Sequence, residues 1–373
     1  MTDDIQGRAL VFVAGARPNF MKVAPLLRSL RARAPGSACR LVHTGQHYDA
    51  SMSSVFFRDL GIPEPDAHLG VGSGGHGVQT GRILAGFEEY LLGAPPTRGV
   101  VVVGDVNSTV ACALAAAKLG IPVAHVEAGL RSFDRSMPEE INRVLTDAIA
   151  DLLLVSEPSG EENLRKEGIA AGRIRSVGNV MIDSVVRELP AARRLQMRNR
   201  LGLQGPFALV TLHRPSNVDD LARIGAVCAF LERAAARLAV VFPVHPRTEK
   251  RLREFGLFDR LAATAGMRCL PPLGYHETLG VMSEAAVVIT DSGGIQEETS
   301  FLGVPCLTMR ETTERPVTVT LGTNTIVGHD WARVEELVTD VLEGRYKKGG
   351  AIPLWDGQAA ERISDVLLGA WGA

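Results

Sequence analysis

Short runs of β-branched and small apolar residues alternate along the chain with longer stretches whose apolar positions recur at helical spacing. Residues 9–14 (ALVFVA), 39–44, 100–104 (VVVVG), 121–126 (IPVAHV) and 152–155 read as strands buried on both faces. Stretches near 18–33, 50–60, 76–92, 108–119 and 138–150 carry the period of amphipathic helices. In the last of these, Ile141, Val144, Leu145 and Ala148 share one face, and Pro138 suits a first helical turn. A charged, strand-poor segment from 186 to 205 interrupts the rhythm and reads as a helical linker. The rhythm restarts at 207–212 (FALVTL), 239–244 (AVVFPV), 267–270, 286–290 and 304–308. The pattern predicts an α/β chain of two doubly wound Rossmann-like domains, residues 1–185 and 186–355, facing a central cleft. Residues 356–373 form a last helical segment able to pack back on the N-terminal domain. In such sheets ligands bind beyond the carboxyl ends of the strands, so the polar residues that follow each strand are the candidates.

Composition narrows the function classes. The chain has 373 residues, 46% apolar and 22% charged, the profile of a globular protein rather than a disordered one. Forty basic residues against 42 acidic ones leave a net charge of −2, which offers nucleic acid no basic face. Apolar runs are strand-length, well short of the ~20 residues of a membrane helix. Asp3 and Asp4 ahead of Leu10–Ala14 do not resemble a secretory signal. Cys39, Cys112, Cys228, Cys269 and Cys306 include no CxxC pair, so neither a disulfide framework nor a zinc knuckle is indicated. A cytoplasmic setting is expected, with no membrane or nucleic-acid partner.

Chemistry concentrates where the strands end. Gly15-Ala16-Arg17-Pro18 follows the first strand, and Lys22 lies about one turn further on. Two cations at a helix start suit an anion such as a diphosphate, or are simply solvated charges. Gly104-Asp105, Glu127 and Glu139 fall at neighbouring strand ends or helix starts, where grouped carboxylates can divide acid and base roles. Asp105 and Glu139 also read as ordinary first-turn acids, whereas Glu127 directly follows a buried strand. The strands at 207–212 and 239–244 deliver His213 and His245, at no spacing that suggests a helical metal site, and no metal is expected. Thr290-Asp291-Ser292-Gly293-Gly294-Ile295-Gln296-Glu297-Glu298 combines a glycine turn open to phosphate with a carboxylate able to accept a ribose diol. Arg315 adds a cation. There is no GKS/GKT for a P-loop and no GxGxxG for a dinucleotide. These residues alone indicate a nucleotide-diphosphate ligand and leave the reaction open.

Gly15–Lys22, Thr44-Gly45-Gln46-His47, Gly104-Asp105, His125–Arg131, Pro138–Arg143, Gly178-Asn179, Asp291–Glu298 and Met309–Pro316 together resemble the non-hydrolysing UDP-N-acetylglucosamine 2-epimerases. The likeness covers nearly the whole chain, and HVEAGLR and TDSGGIQEE are its most specific stretches. It implies a glycosyltransferase-B-like fold and inversion at C2 of a UDP-sugar, by elimination of UDP to a bound 2-acetamidoglucal and re-addition. No cofactor is implied. By position, Asp105, Glu127, Glu139 and His213 match catalytic residues; Arg17, Lys22, His213, Ser292, Gly293, Gly294, Glu298 and Arg315 match the UDP-binding set. Gln46, His47 and His245 match a site for an activating second substrate molecule. Many bacterial members read His-Arg-Arg-Glu where this chain reads His213-Arg214-Pro215-Ser216-Asn217, so weaker or absent substrate activation is expected. The resemblance also implies a homodimer formed through first-domain helices. The rival readings are a hydrolysing epimerase releasing UDP and ManNAc, a 2-epimerase of a related UDP-sugar, a glycosyltransferase, and a sugar-nucleotide-binding regulator.

Overall fold

The computed structural model describes residues 8–46 and 63–372. The helix expected near 50–60, and His47, lie outside the described residues. The chain divides into two compact units, residues 1–184 with 353–373, and residues 185–352.

The first unit holds seven strands: β1 (Ala9–Ala14), β2 (Cys39–His43), β3 (Ala67–His68), β4 (Thr97–Val103), β5 (Val123–Ala128), β6 (Leu152–Val155) and β7 (Ile174–Ser176). Their spatial order is β3-β2-β1-β4-β5-β6-β7, and every pairing is parallel. The central strands are apolar without alternation because helices cover both faces; Val100–Val103 are essentially inaccessible. The order reverses between β1 and β4, the switch point at which ligands of doubly wound sheets bind.

The second unit repeats the design with β8 (Phe207–Thr211), β9 (Ala239–Pro243), β10 (Met267–Leu270), β11 (Val287–Thr290), β12 (Cys306–Thr308) and β13 (Asn324–Ile326). The order is β10-β9-β8-β11-β12-β13, again all parallel, with its switch point between β8 and β11. The charged segment expected as a helical linker is largely helical, Val180–Arg194 and Met197–Arg200. Its Val185, Ala192 and Met197 lie in the apolar core of the second unit, so the arginines occupy only its outer side.

The last helix, Ala359–Trp371, belongs to the first unit. Asp183 accepts the N–H groups of Ala360 (2.8 Å) and Ala359 (3.2 Å), serving as a cap that the helix lacks locally. Burial raises the Asp183 carboxyl to about 6 despite those hydrogen bonds. Arg33 pairs with Glu361 (2.9 Å) and Asp365 (2.7 Å), and Trp355 donates its indole N–H to the Ser156 carbonyl.

Candidate active site

At the first switch point, Gly15 ends β1 where no side chain fits: a Cβ there would lie 2.0 Å from Ser108 Oγ and 2.7 Å from Thr44 Oγ1. Asn19 then ties the two strand ends together. Its Oδ1 accepts the N–H groups of Gly15 (3.2 Å) and Ala16 (3.0 Å), and its Nδ2 donates to the Val103 carbonyl (3.0 Å). Gln46 is buried, and its Oε1 accepts both the Ser108 N–H (3.0 Å) and the Ser108 hydroxyl (2.7 Å) at the start of the Asn107–Lys118 helix. Its side-chain oxygen is thereby committed to capping that helix.

Glu127 is the most unusual residue of this end. The pairing of β5 with β6 slips between Val126 and Ala128, so Glu127 occupies a bulge. It does so with φ 71°, a left-handed conformation that L-residues other than glycine, asparagine and aspartate rarely adopt. The cost is on the order of 1–2 kcal/mol, and such strain concentrates at functional sites. The bulge turns the carboxylate onto the Lys22 ammonium, and both side chains are buried. Among the described residues, Glu127 Oε1 has no hydrogen-bond partner. Lys22, expected on a diphosphate, thus has a carboxylate as its partner here.

Asp105 is partly exposed and ion-paired to Arg143, whose guanidinium also binds Glu140 Oε2 (2.7 Å) and Ser132 Oγ (3.3 Å). Asn142 donates to the Asp105 carbonyl at 2.9 Å. Both positioning residues come from the Pro138–Ile149 helix, and Glu139 is half-buried in its first turn. That helix faces the opposite way to most amphipathic helices. Glu140, Asn142, Arg143, Thr146 and Asp147 point inward, while Ile141, Val144 and Leu145 stay 41%, 37% and 50% exposed. Glu140 accepts the N–H groups of Ser132 (2.9 Å) and Phe133 (3.0 Å). These bonds hold Phe133 at φ 60° with 77% of its surface exposed. Desolvation alone would raise the Glu140 carboxyl, but those N–H groups and Arg143 outweigh it and lower it.

The second switch point brings the ends of β8 and β11 together. Asp291, fully buried, accepts the backbone N–H groups of His213 (3.0 Å) and Arg214 (2.8 Å) and the Asn217 amide (2.9 Å). His213 Nδ1 lies 2.8 Å from its Oδ1, which leaves Nε2 as the nitrogen available to a ligand. Burial opposes the Asp291 charge, yet the His213 ring, Asn217 and Arg214 together hold its carboxyl below the usual range. The His245 ring lies tilted by 39° against that of His213, with ring centres 5.4 Å apart. Its Nδ1 accepts the Arg247 N–H at 3.2 Å, and burial with the neighbouring His213 lowers its pKa.

Ser292 precedes the Gly293–Leu302 helix without capping it through its side chain, and Gly294 opens onto free space. The first turn thus has no side-chain cap on its N–H groups, the arrangement from which helix N-termini bind anions. Gly293 is needed for close approach: a Cβ would lie 2.7 Å from Glu314 Oε1 and 2.9 Å from Arg315 Nη1. Arg315 is buried between Glu297 (2.6 Å) and Glu314. Glu298 is buried beside Tyr275, whose hydroxyl donates to it at 3.1 Å. Burial raises the Glu298 carboxyl to about 8, with Glu297 adding to the shift and the Tyr275 hydroxyl opposing it. Arg17 starts the Arg17–Arg33 helix after β1. No cluster of three or more His, Cys, Asp or Glu able to hold a metal occurs among the described residues, and no described helix is long and apolar enough to cross a membrane.

Asn19, Asn142, Arg143, Asp291, Asn217 and Tyr275 had no assigned role from sequence. Asn19, Asn142, Arg143 and Asp291 do fall inside the recognised motifs and Asn217 in the divergent stretch after His213, while Tyr275 is identified only by what it touches.

Two all-parallel doubly wound units, each with strained or buried charged groups at its switch point, define the class as a two-unit α/β protein of the doubly wound kind. The comparisons place it further. A family model described as UDP-N-acetylglucosamine 2-epimerase matches residues 30–368. The UDP-N-acetylglucosamine 2-epimerase of Methanocaldococcus jannaschii is 41% identical over 364 residues, covering 96% of this chain and 98% of its own. The UDP-2,3-diacetamido-2,3-dideoxy-D-glucuronate 2-epimerase of Pseudomonas aeruginosa is 41% identical over 361 residues, covering 96% and 99%. The crystal structure of the M. jannaschii UDP-GlcNAc 2-epimerase in complex with UDP-GlcNAc and UDP matches with a TM-score of 0.87 at 40% identity, covering 96% of this chain and 99% of that one. The chain belongs to the UDP-N-acetylglucosamine 2-epimerase family, with its glycosyltransferase-B-like fold, and is an enzyme of the isomerase class.

Proposed function

We propose that the protein is a non-hydrolysing epimerase interconverting UDP-GlcNAc and UDP-ManNAc. The observation that carries the reading is Glu127, a buried carboxylate held in a strained bulge against Lys22, one strand away from Asp105. Deprotonation at C2 is difficult because that carbon is only weakly acidic, so the leaving group must be stabilised as the C–H bond weakens. A carboxylate takes the C2 proton, the C2–H electron pair forms the C1–C2 double bond, and UDP departs with the C1–O pair. A proton then returns to the opposite face of C2 and a UDP oxygen re-forms the C1–O bond. Asp105 and Glu127 act nearest C2, with Glu139 sharing the work.

Ser292, Gly293 and Gly294 offer amides, and Arg17, Arg315 and His213 further donors, to the diphosphate, where charge builds as the C1–O bond breaks. Glu298 receives the ribose diol. Lys22 orients Glu127. Committed to a helix start, Gln46 is poorly placed to serve an activating second substrate, which supports weak or absent activation.

A second substrate reading has specific support: the P. aeruginosa relative named for a diacetamido-glucuronate is as similar as the M. jannaschii one. The working form is a homodimer in which a second copy covers the outward apolar stripe of the Pro138–Ile149 helix. The enzyme acts in the cytoplasm. Asp105→Asn and Glu127→Gln each abolish deuterium incorporation at C2 in D2O while UDP binding persists. Near-normal exchange in both variants would overturn the assignment, and stoichiometric release of free UDP by the wild-type protein would indicate hydrolysis.

A further inference from the structure

Behind the three carboxylate-bearing segments lies a buried side chain that the chemistry above does not use. His125 stands in β5 with its ring completely inaccessible. Its Nδ1 is 2.6 Å from Asp147 Oδ1 and its Nε2 is 2.8 Å from the Gly104 carbonyl oxygen. Both partners are acceptors. A carbonyl has no proton to give, and the Asp147 carboxyl is ion-paired at 2.7 Å to Arg131, a cation at any ordinary pH, which favours its carboxylate form. A neutral imidazole has one N–H and one lone pair, so it satisfies only one of two acceptors. Both bonds exist together only when both ring nitrogens donate.

The second Asp147 oxygen extends the chain of contacts. It accepts the Gly129 N–H at 3.0 Å and pairs with Arg131 at 2.7 Å, and Arg131 is held in turn by Glu167. The three anchoring points are revealing. Gly104 immediately precedes Asp105, Gly129 lies two residues after Glu127, and Asp147 belongs to the helix that begins at Pro138-Glu139. Gly104 and Gly129 have φ 68° and 80°, so each is a turn whose direction sets where its neighbouring carboxylate points. A Cβ on Gly129 would sit 2.2 Å from the Gly160 carbonyl, which leaves that turn little room to move.

From this geometry we infer that His125, as a double donor braced by Asp147, is a positioning residue that fixes the mutual spacing of Asp105, Glu127 and Glu139 for proton transfer at C2. The inference rests on the epimerase reading for its catalytic consequence, but the bonding claim stands apart from it. Proton transfer is steep in distance, and misplacement by about 1 Å costs on the order of 100-fold.

The test has two arms. In protein labelled with 15N-histidine, the His125 signal, assigned by its loss in His125→Phe, shows both ring nitrogens protonated. In D2O with UDP-GlcNAc, His125→Phe lowers kcat and C2 deuterium exchange about 100-fold, with KM and UDP affinity within about threefold of wild type. Asp147→Asn retains more of the rate than Asp147→Ala, because an asparagine still accepts from Gly129 and donates to a neutral His125 that keeps its bond to Gly104. Rates are compared well below each variant's Tm, so a purely structural role would show as lowered Tm with exchange unchanged. One bare ring nitrogen, or exchange in His125→Phe within threefold of wild type, would overturn the inference. Absence of exchange in the wild-type protein itself would instead remove the epimerase reading, and with it the catalytic consequence.

Discussion

At the residue scale, the informative positions are those where the backbone or a charge is held against its preference. Glu127 and Phe133 both adopt positive φ, the first within the carboxylate set and the second in the loop that leads to Glu139. Phe133 is held there by Glu140 rather than by packing of its own ring, which faces solvent. Phe133→Gly relieves about 1 kcal/mol of strain, partly offset by the greater chain entropy of glycine. It is expected to raise Tm by roughly 1–2 °C in calorimetry; a lower Tm would mean the ring contributes packing instead.

Glu298 gives a pH signature. Its folded-state pKa of about 8 lies above the ordinary glutamate value, so the folded protein binds this proton more tightly than the unfolded chain. The stabilising effect is full below the unfolded pKa and is lost as pH rises through about 8. Glu298→Gln is neutral throughout. Its Tm relative to wild type therefore climbs between pH 5 and 8 and levels off above; a difference constant with pH would contradict the buried, proton-bearing carboxyl. Sequence readily showed the acids at strand ends, because composition and position suffice there. It did not show Arg143 on Asp105 or Asn217 on Asp291, because those pairings depend on which helix face turns inward and on strands adjacent only in space.

That dependence is clearest at the scale of elements. Hydrophobic periodicity located the Pro138–Ile149 helix and its apolar stripe, but periodicity carries no sign: it does not say whether the stripe faces core or solvent. Here the polar face is inside because Arg143, Asn142 and Asp147 serve the carboxylate turns. The outward stripe makes a prediction. Leu145→Glu, on the exposed face, should leave the fold intact and convert dimer to monomer in light scattering. It should also slow C2 exchange, since the same helix carries the residues that hold Asp105. A wild-type monomer, or an unaltered dimer in the variant, would contradict the assignment. The segment at 186–205 was readable as a helical linker, but its arginines masked the apolar positions that enter the second core.

At the scale of the whole molecule, two sheets that share one strand order, apart from the additional edge strand β7 of the first, present their switch points at β1/β4 and β8/β11. Strand–helix alternation made the two parallel sheets legible, because consecutive parallel strands require crossovers. The candidate positions were readable for the same reason: Gly15, Gly104-Asp105 and His213 stand within two residues of the ends of strands that flank those switch points. What the alternation does not encode is chemistry, which in the proposed mechanism rests on how the carboxylates and helix-end amides divide proton transfer and leaving-group stabilisation. The most direct measurement is proton NMR of the purified protein with UDP-GlcNAc in D2O, without added cofactor. The expected result is growth of UDP-ManNAc with deuterium at C2 and little free UDP. Accumulation of free UDP with ManNAc, or an unchanged UDP-GlcNAc spectrum, would contradict it.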